Sequence, residues 1–266
     1  MIDIHSHILP AVDDGSKDLA MSLDMARMYV ENGFTTVIAT PHYIEGSIST
    51  KKDKNKKVLD MFKEELKREN IELEILLGNE AYVSMDLIGD LEEGRVASLY
   101  DSRYVLLELP MQDMPLYVES LIYELQLKGY TPIIAHPERN STIVEDPNIL
   151  YNLIEKGALA QLNLPSLEGR YGEKIKETAE ILLSHNMIHF LGTDAHTNRG
   201  RSPKVSEGLN ILKSLISEEK YEDLTINNPT KLINNQSINI EEPIEYKKRK
   251  TKWPVRAWNK ISSLLY

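Results

Sequence analysis

The composition and charge of this 266-residue chain exclude several classes of function before any motif is considered. The chain contains no cysteine, which removes disulfides, thiolate metal sites and cysteine nucleophiles, so any metal must be held by nitrogen and oxygen ligands. The formal net charge of −10 argues against general nucleic-acid binding. We expect a cytoplasmic protein, because no apolar run approaches the roughly 20 residues of a membrane span and no signal peptide precedes the first strand.

Strands and helices are predicted to alternate along most of the chain. The first strand begins at Ile2, and six more apolar strands are predicted over 35–40, 71–77, 104–109, 132–135, 160–164 and 188–192. Helices are predicted over 19–30 with Ser16 as N-cap, 55–69, 116–128, 149–156, 173–185 and 204–217, with a short helical stretch after 227–229. Seven strand–helix units predict a parallel α/β barrel over 1–240, followed by a tail over 241–266. Neither a GxGxxG motif nor a P-loop follows any of these strands.

The first fifteen residues, MIDIHSHILPAVDDG, contain the first candidate site. The alternation of apolar and polar residues over 2–5 is typical of a short strand, on which His5 and His7 point to the same side. Neutral imidazole is the commonest protein metal ligand. The turn at 13–15 then returns two carboxylates towards the two rings. This stretch therefore predicts one part of a metal site.

Further histidines and carboxylates follow the other predicted strands at their carboxyl ends. These ends form one face of a parallel barrel, where active sites are built, so we expect their side chains to converge. The candidate ligands are His5, His7, Asp14, His42, Glu80, Glu108, His136, Asp194 and His196. Such a set exceeds the needs of one ion and predicts two or three divalent ions. The other two histidines, His185 and His189, fall outside this pattern.

Two arginines follow ligands at the same predicted face. Arg139 comes three residues after His136, and Arg201 comes five residues after His196, whereas Arg199 is a weaker candidate. Guanidinium groups suit phosphate oxygens. Three divalent ions against four carboxylates leave a charge of about +2, which attracts a phosphate dianion. The site therefore favours hydrolysis of a phosphate ester.

The motifs DIHSH, DDG, TPH, GNE, LELP, AHPER and TDAH resemble those of the PHP (polymerase and histidinol phosphatase) superfamily. The closer resemblance is to its branch of bacterial capsule and exopolysaccharide tyrosine phosphatases of the CpsB type. It covers about residues 1–240. It implies a distorted, TIM-like (β/α)7 barrel of a single domain with three metal ions, usually Mn²⁺; Fe, Zn and Mg are the alternatives.

The resemblance also implies how the ligands are divided and what the site does. His5, His7, Glu80 and Asp194 would hold one ion, Glu80, Glu108 and His136 a second, and Asp14, His42 and His196 a third. Arg139 and Arg201 match the family's phosphate-binding, catalytic arginines. The implied activity is hydrolysis of phosphotyrosine, without a covalent intermediate, on a membrane-associated bacterial tyrosine kinase that regulates capsular or exopolysaccharide biosynthesis.

Three other functions remain open at this point. The first is a phosphatase for histidinol phosphate or another small phosphomonoester, which comparative turnover would distinguish. The second is a metal-dependent amidohydrolase, which also begins with HxH but often uses a strand lysine where this chain has Glu80 and Glu108. The third is a regulatory module without catalysis, against which the complete ligand set argues.

The C-terminal tail differs in charge from the rest of the chain. Residues 247–266 contain seven basic and no acidic residues, which leaves about −17 on the remainder. Trp253, Trp258, Ile261 and Leu265 lie roughly on one helical face. The tail would therefore either contact a membrane surface peripherally, at the inner face of the membrane, or pack on the acidic body or a neighbouring subunit of a homo-oligomer.

Overall fold

The computed structural model describes residues 1–46 and 51–247, and its described strands all pair in parallel. In chain order they are β1 (Ile2–Ser6), β2 (Thr36–Ala39), β3 (His42–Tyr43), β4 (Glu74–Leu77), β5 (Glu80–Tyr82), β6 (Tyr104–Glu108), β7 (Thr131–Ala135), β8 (Leu159–Asn163) and β9 (Phe190–Gly192). One sheet has the order β1-β2-β4, and the other has the order β3-β5-β6-β7-β8-β9. The structure is thus a parallel α/β fold, and each predicted strand has a counterpart in it.

The sheet is interrupted twice, close to two of the candidate ligands. Thr40 and Pro41 separate β2 from β3, and Gly78 and Asn79 separate β4 from β5. The Asn79 side chain donates to the Pro41 carbonyl at 2.8 Å, so the two interruptions support each other. A Cβ at Gly78 would lie 2.7 Å from a Leu99 side-chain carbon, which leaves no room for a larger residue. His42 and Glu80 therefore open new strands, whereas the sequence placed them at the ends of longer ones.

The first and last of the described strands, β1 and β9, meet, so the sheet curls. Ser6 and Ala195 form an isolated parallel bridge. The His7 amide donates to the Ala195 carbonyl, and the Asp194 amide donates to the His5 carbonyl, both at 2.9 Å. This contact brings the candidate ligands of β1 next to those that follow β9.

Helices connect most of the strands, except across the two interruptions, and three α-helices of the described residues follow β9. They are α1 (Leu19–Glu31), α2 (Lys52–Arg68), α3 (Leu87–Glu92), α4 (Val118–Leu127), α5 (Ser141–Glu145), α6 (Asn148–Glu155), α7 (Leu164–Leu167), α8 (Glu173–Ser184), α9 (Ser206–Leu215), α10 (Glu218–Glu222) and α11 (Asn228–Ile233). The N-cap of α1 is Asp18, whose side chain accepts from the Met21 amide. The predicted N-cap, Ser16, is buried and donates instead to the Asp18 carbonyl. Among the described residues no helix is both long and apolar enough to cross a bilayer.

Two apolar clusters occupy the two faces of the curled sheet. Leu106 and Ile133 belong to the smaller cluster, together with Ile4, Ile38 and Phe190. Their strand neighbours Val105, Leu107 and Ile134 belong to the larger cluster, which includes residues of the surrounding helices. This alternation follows from the period of two along a strand, and both faces of the sheet are covered as parallel sheets require.

The described part of the tail lies against the body of the protein. The Ile244 amide donates to the His185 carbonyl at 2.9 Å, and the Tyr246 amide donates to the Asn148 side chain at 2.8 Å. The predicted helical face of the tail, over 253–265, falls outside the described residues.

Candidate metal centre

Glu80 lies at the centre of the histidines predicted as ligands. Its Oε2 atom is 3.2 Å from Nε2 of His5, 3.2 Å from Nε2 of His7 and 3.0 Å from Nδ1 of His42. Its Oε1 atom is 2.8 Å from Nε2 of His136. Histidines from three other segments of the chain therefore meet at the Glu80 carboxylate.

Three overlapping groups of ligand atoms are close enough to surround an ion, with all atoms of a group within 4.8 Å of one another. The groups are His5, His7 and Glu80; His42, Glu80 and Glu108; and His7, Asp14, His42 and His196. The remaining two candidates border these groups. Oδ1 of Asp194 is 3.7 Å from Nε2 of His5 and 3.5 Å from Nε2 of His7. Nε2 of His136 is 2.8 Å from Oε1 of Glu80. The grouping overlaps the family-based division but places His42, rather than His136, with Glu80 and Glu108.

Several buried atoms at this centre have no hydrogen-bond partner among the described residues. They are Nε2 of His196, and Nδ1 of His42 and Oε2 of Glu80, which lie 3.0 Å apart without the geometry of a hydrogen bond. A buried polar atom without a partner costs about 1–3 kcal/mol. The Nε2 atoms of His5 and His7 also face each other at 3.3 Å. Convergent lone pairs of this kind fit a divalent cation, and oxygen and nitrogen donors are those that manganese, zinc, iron and magnesium accept.

Asp13 contacts two of the candidate ligands, although the sequence pattern pointed only to its neighbour Asp14. Oδ2 of Asp13 is 2.7 Å from Nδ1 of His7 and accepts from the His42 amide at 2.9 Å. Burial favours a raised pKa for Asp13, but the His7 ring and these hydrogen bonds hold its pKa well below the usual range. The ionised carboxylate therefore directs the other nitrogen of His7 towards the centre. The sequence signal for this role was the paired Asp-Asp before Gly15.

The charges of the site differ sharply between neighbouring groups. Burial lowers the pKa of His196 to about 2, and burial also lowers the pKa of His136. These rings are therefore neutral, as metal ligands must be. Burial and the adjacent Glu80 carboxylate raise the pKa of Glu108 to about 7. For Asp194, burial is outweighed by His5 and other cationic neighbours, so its pKa lies well below the usual range.

Both predicted arginines reach the same carboxylate. Nη1 of Arg139 and Nη2 of Arg201 each donate to Oδ2 of Asp194 at 2.7 Å. The Arg139 guanidinium also lies 4.6 Å from the centre of the Tyr171 ring, a cation–π contact. Arg199, the weaker candidate, is exposed. The two guanidiniums thus stand beside the ligand cluster, where they could bind phosphoryl oxygens.

Two buried amides on β8 contact the ligands and were missed in the sequence. Oε1 of Gln161 is 2.8 Å from Nδ1 of His5, and Nδ2 of Asn163 donates to Asp194 at 2.9 Å. Alternating polar residues inside an otherwise apolar strand were the available signal. His185 and His189 lie outside the cluster, as the pattern indicated; Nδ1 of His189 accepts from a backbone amide.

Comparison with known proteins gives a consistent family. Residues 1–234 match the model of the family described as capsular polysaccharide synthesis, CpsB/CapC. The tyrosine-protein phosphatase YwqE of Bacillus subtilis is 42% identical over 250 residues, which cover 94% of this chain and 98% of that protein. The tyrosine-protein phosphatase CpsB of Streptococcus pneumoniae is 29% identical, with 90% of this chain and 100% of that protein covered. These relatives are phosphoric monoester hydrolases by name.

Solved structures agree with this assignment. One matching crystal structure comes from work on YwqE of Bacillus subtilis and CpsB of Streptococcus pneumoniae, which are described there as metal-dependent tyrosine phosphatases. The match has a TM-score of 0.89 and 41% sequence identity. It covers 93% of this chain and 100% of that chain. The lactonase Lmo2620 of Listeria monocytogenes matches with a TM-score of 0.54 at 13% identity, covering 89% of this chain and 95% of that one, which shows a shared fold alone. The chain belongs to the CpsB/CapC capsular polysaccharide synthesis family.

Proposed function

We propose that this protein is a metal-dependent protein-tyrosine phosphatase that uses three divalent ions, with Mn²⁺ as the metal. The observation that carries the proposal is the convergence of nine residues with nitrogen or oxygen donors, seven in overlapping groups and two that border them, beside two guanidiniums in a chain without cysteine. Relatives covering nearly the whole chain are named tyrosine-protein phosphatases.

The proposed ligands are the nine residues selected from the sequence. His5, His7, Asp14, His42, Glu80, Glu108, His136, Asp194 and His196 would share the ions, with Glu80 central to the set. When bound, such ions polarise phosphoryl oxygens and supply a nucleophile from water at neutral pH.

The side chains around the ligands would bind and orient the phosphoryl group. Arg139 and Arg201 present guanidiniums whose donors match phosphoryl oxygens, and both would stabilise the charge that develops on those oxygens. Asp194 fixes both guanidiniums through one oxygen atom. Tyr171 packs on Arg139 and restricts its orientation. Phenolate is a good leaving group, so the demand on a general acid is small.

Activity against two substrates tests the proposal. The protein treated with EDTA should lose phosphatase activity towards a phosphotyrosyl peptide, and Mn²⁺ should restore it. The same preparation should turn over histidinol phosphate much more slowly. Activity that survives the chelator would refute the metal-dependent mechanism, and a preference for histidinol phosphate would assign the alternative function.

The partner that we propose is the phosphotyrosine-bearing segment of a membrane-associated bacterial tyrosine kinase, in the control of capsular or exopolysaccharide synthesis. The family description supports this context. A basic tail from Lys247 onward would bring the enzyme to the inner face of an anionic membrane. Liposome cosedimentation of the full chain and of residues 1–245 tests the tail, and equal binding would refute its role.

We also propose that the curled sheet is a distorted (β/α)7 barrel in a single domain over 1–240. If β3 continues β2 and β5 continues β4, the nine described strands occupy seven positions. The contact between Ser6 and Ala195 supports closure of that ring. A crystal structure in which β1 and β9 stand apart would contradict this arrangement.

A further inference from the structure

Two buried amides on β8 connect a proposed ligand from the start of the chain with one near its end. Oε1 of Gln161 is 2.8 Å from Nδ1 of His5. Nε2 of Gln161 donates to Oδ1 of Asn163 at 2.9 Å, and Nδ2 of Asn163 donates to Oδ2 of Asp194 at 2.9 Å. All four side chains are buried. They form a continuous series of three hydrogen bonds.

The direction of every hydrogen bond in this series follows from its last member. Oδ2 of Asp194 also accepts from two guanidiniums, so it acts as an acceptor and Asn163 must present its NH₂ group to it. The oxygen of Asn163 then faces Gln161, which must present its own NH₂ group in turn. The oxygen of Gln161 is left facing His5, so Nδ1 of His5 must carry a proton.

The backbone of β9 makes room for these amides. A Cβ at Gly192 would lie 2.6 Å from Nε2 of Gln161 and 2.8 Å from Cβ of His5. Separations below 3.0 Å do not occur between a real Cβ and its neighbours. The series therefore depends on a glycine at this position, which is independent evidence that the packing around Gln161 is specific.

We propose that Gln161 and Asn163 are positioning residues of the metal centre. With its proton on Nδ1, His5 directs the lone pair of Nε2 towards Oε2 of Glu80, 3.2 Å away, where a cation would bind. Asn163 occupies Oδ2 of Asp194, so Oδ1 remains available to the ions. This role rests on the metal-dependent function proposed above. His5 and Asp194 would be oriented by neutral amides, whereas His7 is oriented by the carboxylate of Asp13.

Nitrogen NMR of ¹⁵N-histidine-labelled, metal-free protein, recorded at increasing pH until the His5 ring has lost its positive charge, reads the tautomer of the neutral ring directly. We expect the proton of His5 on Nδ1. His189 is an internal reference with the opposite tautomer, because its Nδ1 accepts from the Ala160 amide at 3.1 Å. Gln161→Leu should abolish the preference at His5. Gln161→Glu keeps the acceptor that faces His5, although it loses the donor that faces Asn163, and should retain the preference. A proton on Nε2 of His5 in the native protein, or an unchanged tautomer in Gln161→Leu, would overturn the proposal.

Manganese binding, followed by electron paramagnetic resonance of the free ion, provides the second measurement. Loss of a group that orients a ligand typically weakens metal affinity about 10–100-fold, and we expect this for Gln161→Leu, with partial recovery in Gln161→Glu. Gln126→Leu is the matched control, because Gln126 is an exposed amide that donates to the Lys156 carbonyl. Native affinity in Gln161→Leu would overturn the proposal. A native protein that binds no Mn²⁺ but protonates His5 on Nδ1 would refute Mn²⁺ as the metal of the proposed function and would still support the orientation of His5 by Gln161.

Discussion

Replacement of Glu138 by glutamine should stabilise the metal-free protein at alkaline pH. Glu138 is fully buried. Its Oε1 accepts from the Asn163 amide at 3.1 Å and from Oγ of Ser166 at 2.6 Å, while Oε2 has no partner among the described residues. Burial outweighs these hydrogen bonds and raises the pKa of Glu138 from 4.5 to about 7. The folded protein therefore favours the protonated, neutral form.

The size of the effect follows from the shift in pKa. An acid with a higher pKa in the folded chain contributes stability below its unfolded pKa and loses that contribution as the pH rises through its folded pKa. Between pH 4.5 and 7, at 1.36 kcal/mol per unit, the loss is about 3 kcal/mol. A glutamine at this position keeps an oxygen that accepts from Asn163 and Ser166. Because its amide does not ionise, the variant should not lose this stability as the pH rises.

Urea unfolding in EDTA at pH 5 and pH 8 measures the difference. The difference in free energy of unfolding between Glu138→Gln and the native protein should increase, in favour of the variant, by about 2–3 kcal/mol from pH 5 to pH 8. Glu155→Gln, on the exposed side of α6, should change the free energy of unfolding by less than about 0.5 kcal/mol at either pH. An advantage for Glu138→Gln that is the same at both pH values would refute the argument from burial.

Three further changes test the site itself. Arg139→Ala should lower kcat/KM for a phosphotyrosyl peptide about 100-fold while metal content stays native; full turnover would remove Arg139 from the mechanism. Asp13→Ala should weaken Mn²⁺ binding about 10–100-fold, because His7 loses the partner 2.7 Å away that orients it; calorimetric titration measures this, and native affinity would contradict it. Gly15→Ala would place a Cβ 2.3 Å from the His7 carbonyl oxygen, and the resulting strain of about 1–3 kcal/mol should lower Tm in calorimetry; an unchanged Tm would mean that the turn adjusts freely.

The sequence predicted the parallel α/β fold and the convergence of the ligands because both depend on simple periodic rules. Apolar segments such as 104–109 and 132–135 read as buried strands, and the structure has β6 and β7 there. Polar residues that follow parallel strands share one edge, so His136 and Asp194 could be placed together although 58 positions separate them.

Other features depend on contacts that no local pattern encodes. The separation of β5 from β4 at Gly78 depends on packing against Leu99, a residue from a later segment. The roles of Asp13 and Asp14 differ only because the turn aims the two side chains at different histidines. The sequence places Gln161 in a strand, but its partner His5 lies 156 positions away.

The contact between β1 and β9 has a consequence for how the protein is made. Ser6 is synthesised 189 residues before Ala195, with which it pairs. At about 5–20 residues per second, the N-terminal segment waits roughly 10–40 s for that neighbour to be synthesised. A nascent chain that ends before residue 194 lacks both Asp194 and His196, so we expect the proposed ions to bind only after both residues have been synthesised.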